Sequence, residues 1–237
     1  MHQNLKNSLR LLETGNLDHA DVGVTLEKLC QDMLHDFGAT AVGPNDDEAW
    51  LSCSRIVRLL FSSENSSRIS ERSCSLSSDL CYALLLSVFP KENWADSISN
   101  VLQRWGIHEG QDRIFARCFA MAFLALKYMN STILENEEAP KCLAILDISC
   151  LCLQIATSEI REFNGTIGRK KMKEILIAAL SDYEQECASL EGKTNSLSLG
   201  KVHFLRLNYY ATCSRQYARL ERPVGNRQKQ GTLENWI

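Results

Sequence analysis

Apolar residues recur along most of this chain at the three- and four-residue spacing of helices that bury one face. In the first quarter of the chain, this pattern predicts helices over residues 3–14, 22–37 and 50–61. No stretch shows the sustained alternation of period two that a half-buried strand requires. We therefore predict an all-α protein of about eight helices.

Segments rich in Gly, Pro, Asn and Ser separate the later helices. Asp79 and Asn93 precede two of them and are suited to cap them. Lengths of roughly 12 to 18 residues and short loops favour antiparallel pairs, either in an irregular bundle or in a short stack similar to HEAT or armadillo repeats. No clear internal repeat distinguishes these two arrangements. The later helices are predicted over about residues 80–89, 94–105, 114–129, 143–160, 175–190 and 199–220. Those at 114–129 and 143–160 are apolar on nearly every side, which indicates central positions.

Two breaks in composition divide the chain. Residues 62–78 contain nine serines, which is typical of a flexible loop. Residues 221–237 begin with Pro, Gly, Asn and basic residues, a composition that buries too little apolar surface to order itself. We predict one all-helical domain over residues 1–220, with a flexible loop at 62–78, followed by a flexible and disordered basic tail over residues 221–237.

The overall composition is that of a soluble globular protein, with 45% hydrophobic and 23% charged residues. A formal net charge of -3 argues against a protein that coats nucleic acid. No apolar run reaches the roughly 18 to 20 residues that span a bilayer, and the N-terminus has no apolar signal core. We therefore expect an intracellular protein that is not secreted and has no membrane segment.

Ten cysteines stand mostly in apolar stretches, without a Cys-x-x-Cys pair or a Cys/His set at zinc spacing. In a reducing compartment such thiols are expected to stay free and to pack as small hydrophobic side chains. Cys150 and Cys152 are two residues apart in a predicted helix and should therefore point to different faces.

The recognisable catalytic motifs are missing from the sequence: there is no phosphate-binding glycine loop, no His-Glu-x-x-His and no nucleophile elbow. We expect no catalytic site, no metal and no cofactor, although an enzyme with dispersed residues remains an alternative. Asp147 is the one acid in a strongly apolar helix, where it either has a partner or lies on a polar stripe.

Two basic regions suggest direct contact with nucleic acid, and for both the prediction favours a structural role. One is the cluster over residues 169–173, which is more simply a solvated first helical turn. The other combines three tyrosines with three arginines near the C-terminal end, and a packed helix with outward-pointing arginines is the better explanation of it. Its members are Tyr209, Tyr210, Tyr217, Arg206, Arg215 and Arg219.

The tail ends in a spaced set of polar and apolar residues. Gln230 is followed at intervals of three by Leu233 and Trp236, and Ile237 comes directly after Trp236. One tight helical turn would bring the three apolar side chains onto a single face. This pattern resembles the PIP box, the peptide by which replication and repair proteins dock on the sliding clamp PCNA. It departs from the commonest form of that motif at the last position, where a second aromatic residue is usual.

The resemblance implies a role for each of these residues. Gln230 would fill a small polar pocket of PCNA, and Leu233, Trp236 and Ile237 would form a hydrophobic plug. The basic residues Arg227 and Lys229 occupy the flanking positions where such motifs often carry positive charge. A nuclear adaptor in DNA replication, repair or damage tolerance is therefore one hypothesis. The alternative is a helical scaffold subunit of another intracellular complex, whose tail packs on its own helices or on a partner subunit.

Overall fold

The computed structural model describes seven stretches of the chain, all of them helical, and they contain no strand. The prediction of an all-α protein is confirmed. The described residues are 19–39, 71–89, 92–107, 113–135, 142–158, 168–191 and 196–221. Their helices are α1 His19–Ala39, α2 Glu71–Val88, α3 Trp94–Arg104, α4 Arg113–Glu135, α5 Cys142–Ala156, α6 Arg169–Leu190 and α7 Ser196–Glu221. The helices predicted at 3–14 and 50–61 and the tail after Glu221 lie outside the described residues.

Helix α4 forms the centre of the fold and packs against α2, α3, α5, α6 and α7. From Phe115 to Leu126, every side chain except that of Arg117 is buried. In a repeat stack each unit contacts only its neighbours, whereas here one helix contacts five others. The protein is therefore an irregular helical bundle, and α4 and α5 hold the central positions that their apolar sequences predict.

Helix α3 is attached to the bundle at both of its ends. The side chain of Asn93 caps its start by accepting a hydrogen bond of 3.3 Å from the backbone N–H of Asp96, as predicted. At its other end the chain turns through Gly106, whose φ of 67° lies in the left-handed region that favours glycine. The indole Nε1 of Trp105 donates a hydrogen bond of 2.8 Å to the carboxylate of Asp182 on α6.

The predicted serine-rich loop is wrong over residues 71–78, because α2 begins at Glu71. Ser73, Ser77 and Ser78 are buried in the structure, so these small side chains serve as helix-packing residues. The hydroxyl of Ser73 bonds Glu27 of α1, and the two helices thereby hold each other. Residues 62–70 of the predicted loop lie outside the described part of the chain.

Asp79 is also corrected, since it lies in the middle of α2 and caps no helix. Its carboxylate forms an ion pair of 2.8 Å with Arg117 of α4. The guanidinium of Arg117 lies in turn over the ring of Tyr82, 4.1 Å from its centroid. One partly exposed arginine thus joins a carboxylate and an aromatic ring of α2 to the central helix.

The eight cysteines of the described part are free, and all except Cys150 are buried, as predicted. Cys150 faces the hydroxyl of Thr212 on α7 at 3.3 Å, whereas Cys152 lies beside Cys81 of α2. The two residues therefore point to different faces of α5, which confirms that prediction. Burial raises the pKa of the Cys30 and Cys213 thiols to about 12. These thiols are inert packing groups at neutral pH.

Candidate functional site

The predicted clamp-binding residues lie outside the described residues, which end at Glu221. These are Gln230, Leu233, Trp236 and Ile237, with the flanking Arg227 and Lys229. The structure does describe α7, the helix that leads into them. Leu220 is buried, and Glu221 is exposed and forms an ion pair of 3.5 Å with Lys173 of α6. The base of the tail is therefore anchored at the edge of the α6–α7 pair.

The inner face of α7 packs on the bundle. Thr212 lies on this face, where its hydroxyl is 3.3 Å from the thiol of Cys150 on α5. Gln216 is also buried, and its side-chain amide lies 2.8 Å from the hydroxyl of Thr157. Other buried residues of this face are Val202, Leu205, Tyr209 and Cys213, with Tyr217 partly buried.

The opposite face of α7 carries large apolar side chains that are open to solvent in the described structure. Phe204, Leu207 and Tyr210 are 44%, 70% and 51% exposed, and their spacing places them on one side of the helix. We call these three residues the outer stripe. A surface helix normally has a polar outer face, so the outer stripe gives α7 apolar character on both sides. Single exposed apolar residues are common on proteins, whereas a group on one helix face marks a candidate interaction surface.

Helix α6 lies beside α7. Arg206 of α7 bonds both carboxylate oxygens of Glu184, and Lys173 pairs with Glu221, so α6 and α7 run antiparallel. Between these two pairs, Ile177 of α6 is also 55% exposed. The candidate site is the outer stripe of α7 itself.

Charges around the outer stripe are largely neutralised within the protein. Arg206 also approaches Glu191 at 3.4 Å, in addition to its two bonds to Glu184. Arg215 is exposed and donates a hydrogen bond of 3.1 Å to the hydroxyl of Thr212. The surface thus offers mainly apolar contact to a partner, and its charged rim carries both signs.

The tyrosines and arginines of α7 do not form a stacking platform for nucleic acid. Tyr209 is fully buried, and Tyr217 lies under the ammonium group of Lys173, 5.3 Å from the ring centroid. Arg206 is paired with the carboxylates of Glu184 and Glu191. Of the three tyrosines only Tyr210 is exposed, so the packed-helix interpretation is the one that the structure supports.

The basic cluster at residues 169–173 forms the first turn of α6, as predicted, and two of its four basic residues contact other helices. Lys171 donates a hydrogen bond of 3.4 Å to the backbone carbonyl of Trp105 and pairs with Glu174. Lys173 contacts Glu221 and Tyr217. These side chains therefore hold α3 and α7 to α6 and do not form a common basic patch.

A further group of charged side chains lines a small cleft between α3, α4 and α6. Arg104 and Asp182 form an ion pair of 2.8 Å there, and Lys127 pairs with Glu186 at 3.3 Å. Phe123 forms part of its wall, beneath the guanidinium of Arg104 at 5.7 Å. Each of these charged groups is paired with an opposite charge. The contacts in the cleft therefore serve to hold the three helices together.

Asp147 lies on a partly buried side of α5, together with Cys150 and Gln154 at helical spacing. The polar-stripe alternative therefore describes it better than a buried carboxylate. In the part of the chain that the structure covers, no three His, Cys, Asp or Glu side chains are grouped so that they could hold a metal ion. None of the described helices is long and apolar enough to cross a membrane.

A buried polar contact that the sequence does not reveal joins α4 to α6. Asn130 donates a hydrogen bond of 3.2 Å to the hydroxyl of Tyr183 and also approaches the thiol of Cys187. Burial raises the pKa of Tyr183 well above its usual value, and the hydrogen bond from Asn130 opposes this only in part. The hydroxyl therefore remains neutral and serves to orient α6 on the central helix.

The outer stripe was not predicted from the sequence, although a signal for it exists there. Phe204, Leu207 and Tyr210 alternate along α7 with the inner residues, which makes the helix apolar around more than half of its circumference. When a helix has two apolar sides, periodicity cannot show which one faces the core.

Comparison with known proteins adds no relative. No protein-family model, no curated protein sequence and no solved structure matches this chain.

Proposed function

We propose that the protein is a non-enzymatic nuclear adaptor that docks on the PCNA sliding clamp through its C-terminal tail. In this role it acts in DNA replication, repair or damage tolerance. The observation that carries the proposal is the order of Gln230, Leu233, Trp236 and Ile237, which resembles the PIP box. The helical bundle is the body that the tail brings to the clamp.

The position of the motif supports this role. Glu221 is the exposed last residue of a helix whose preceding turns are packed in the bundle. Eight residues rich in Pro, Gly, Asn and basic side chains then separate it from Gln230. A segment of this composition that orders on binding loses conformational entropy, so its affinity is moderate and the complex is readily reversed.

Calorimetric titration of a synthetic Glu221–Ile237 peptide into PCNA tests the proposal. We expect micromolar binding, because the plug buries three large apolar side chains. A peptide with Leu233→Ala and Trp236→Ala keeps the charge and length and should not bind measurably. A third peptide with Gln230→Ala should bind more weakly, since it loses only the polar contact.

The same substitutions in the full chain separate docking from folding. Leu233→Ala with Trp236→Ala should abolish clamp binding and leave the helical circular-dichroism signal unchanged. Equal affinity of the original and double-alanine peptides, or no binding by either, would exclude the clamp as the partner.

The exposed outer stripe favours a second candidate function. A helical scaffold subunit would use such an apolar face for contact with its own tail or with another subunit. In that case the C-terminal residues pack on helices, and the PCNA titration shows no heat.

A further inference from the structure

The outer stripe of α7 and the tail that follows α7 have complementary chemistry. Three large apolar residues are exposed on the helix, and three more end the chain segment attached to it. Burying such surfaces against each other is favourable by roughly 25 cal/mol for each Å² of apolar area removed from water. The tail attached to α7 therefore supplies apolar side chains suited to the outer stripe.

The tail is long enough to make this contact. Leu233 lies twelve residues beyond Glu221, a stretch that spans up to ~40 Å when it is extended. Leu207, at the centre of the outer stripe, lies fourteen residues before Glu221, or ~21 Å back along the helix. Pro223 and Gly225 stand two and four residues after Glu221 and are residue types suited to reversing the chain direction.

Because the tail is attached to α7 by a short tether, even a weak contact between the tail and the outer stripe is occupied in most molecules. Flexible linkers of this length hold two groups at an effective concentration on the order of 1 mM. A docking contact with an intrinsic dissociation constant of about 0.1 mM would then be closed in roughly nine molecules out of ten.

We infer that Leu233, Trp236 and Ile237 dock on the outer stripe of α7 when no clamp is bound. These are the residues that the proposed function assigns to PCNA, so the two contacts exclude each other. The inference rests on the proposed function for this competition, but the intramolecular contact itself does not require PCNA. In the docked state Leu233, Trp236 and Ile237 are shielded from other partners, and the apparent affinity of the chain for PCNA is lowered.

Chymotrypsin cleavage of the full chain tests the intramolecular contact without PCNA. This protease cuts after Leu233 and Trp236 when they are accessible, and mass spectrometry follows the loss of the C-terminal fragment. We expect Leu207→Glu to raise the rate of this cleavage about tenfold, because it places a charge in the apolar surface. Tyr210→Ser is a second variant of the same surface. Gln103→Glu, at an exposed position on α3, is the matched control and should leave the rate unchanged.

Titration into PCNA tests the competition. The full chain should bind about tenfold more weakly than the Glu221–Ile237 peptide, and Leu207→Glu should restore the affinity of the peptide. Circular dichroism confirms that each variant retains its helices, which is expected because Leu207 is largely exposed.

The outcomes distinguish the two proposals. If the peptide binds PCNA but neither cleavage nor affinity responds to Leu207→Glu and Tyr210→Ser, the docking inference is wrong and the proposed function stands. If cleavage responds but the peptide does not bind PCNA, the proposed function is wrong and the docking stands. Protection that falls on dilution would show that a second copy of the chain supplies the tail, which would overturn an intramolecular contact.

Discussion

Raising the pH from 8 to 10 should destabilise the bundle through its buried thiols. Burial raises the pKa of Cys30 and Cys213 from 9.0 to about 12 in the folded protein. In the unfolded chain both thiols return to the ordinary value and lose their protons above pH 9. The unfolded state therefore binds fewer protons between pH 9 and pH 12, and the free energy of unfolding falls as the pH rises through this window.

The size of the effect follows from the two pKa values. At pH 10 an unfolded thiol with a pKa of 9.0 is about nine-tenths ionised, which favours unfolding by ~1.4 kcal/mol for each thiol. Cys30 and Cys213 together account for ~3 kcal/mol, a large part of the 5 to 15 kcal/mol that is typical of a folded domain. Burial also raises the pKa of Cys118, so the total loss should exceed this value.

Urea unfolding followed by circular dichroism, with a reductant present, measures this loss at pH 8 and at pH 10. The wild-type chain is compared with Cys213→Ala, which lacks one of the titrating groups. The free-energy difference between the two proteins should shrink by ~1.4 kcal/mol at the higher pH. Ser149→Ala, a buried substitution without a titrating group, should show the same difference at both pH values. If wild type and Cys213→Ala lose equal stability, the Cys213 thiol does not contribute to the alkaline destabilisation.

Three further substitutions test individual contacts by urea unfolding at pH 7.5. Trp105→Phe should cost about 1 to 3 kcal/mol, because it removes the hydrogen bond to the carboxylate of Asp182; an unchanged midpoint would mean that this bond contributes nothing. Ser77→Ala should be neutral or stabilising, since its buried hydroxyl has no hydrogen-bond partner in the described structure, whereas Ser149→Ala should cost ~1 kcal/mol for its bond to a backbone carbonyl. If Ser77→Ala lowers the free energy of unfolding as much as Ser149→Ala does, the hydrogen bond of Ser149 is not the cause of the difference that we expect. Gly106→Ala should cost about 1 to 2 kcal/mol because of its positive φ; a smaller cost would show that the turn relaxes.

Much of the fold is predictable from the sequence because most helices have strong local signals. The polar Asn93 and the apolar period after it place α3 to within a residue, since a cap and a buried face are both local features. Helix α4 is recognisable because its apolar residues cover its whole circumference. Such features depend on neighbours in sequence, so no knowledge of the partner helices is needed.

The errors occur where tertiary contacts override local composition. The serines at the start of α2 suggest a loop, but burial against α1 and the rest of the core makes them helical. Helix α5 ends four residues earlier than its apolar pattern predicts. The hydroxyls of Thr157 and Ser158 bond the backbone carbonyls of Leu153 and Ile155 there, which offers the chain an alternative to a further helical turn.

The candidate site also has one part that is visible in the sequence and one that only the structure shows. The spacing of Gln230, Leu233 and Trp236 is visible in the sequence, because a short recognition peptide carries its signal in a few adjacent residues. The outer stripe depends on which side of α7 faces the core, and only the packed bundle defines that side. Sequence therefore supplies the proposed recognition peptide, and structure adds the exposed apolar surface of α7.

The central position of α4 has a consequence for the synthesis of this protein on the ribosome. Three of the helices that cover it follow it in the chain, and 86 residues separate Glu135 from the end of α7 at Glu221. At translation rates of roughly 5 to 20 residues per second, this stretch takes about 4 to 17 seconds to make. During that interval the apolar surface of α4 has its earlier partners α2 and α3 but lacks its later ones. Each nascent chain therefore exposes part of this apolar surface until its last helix emerges.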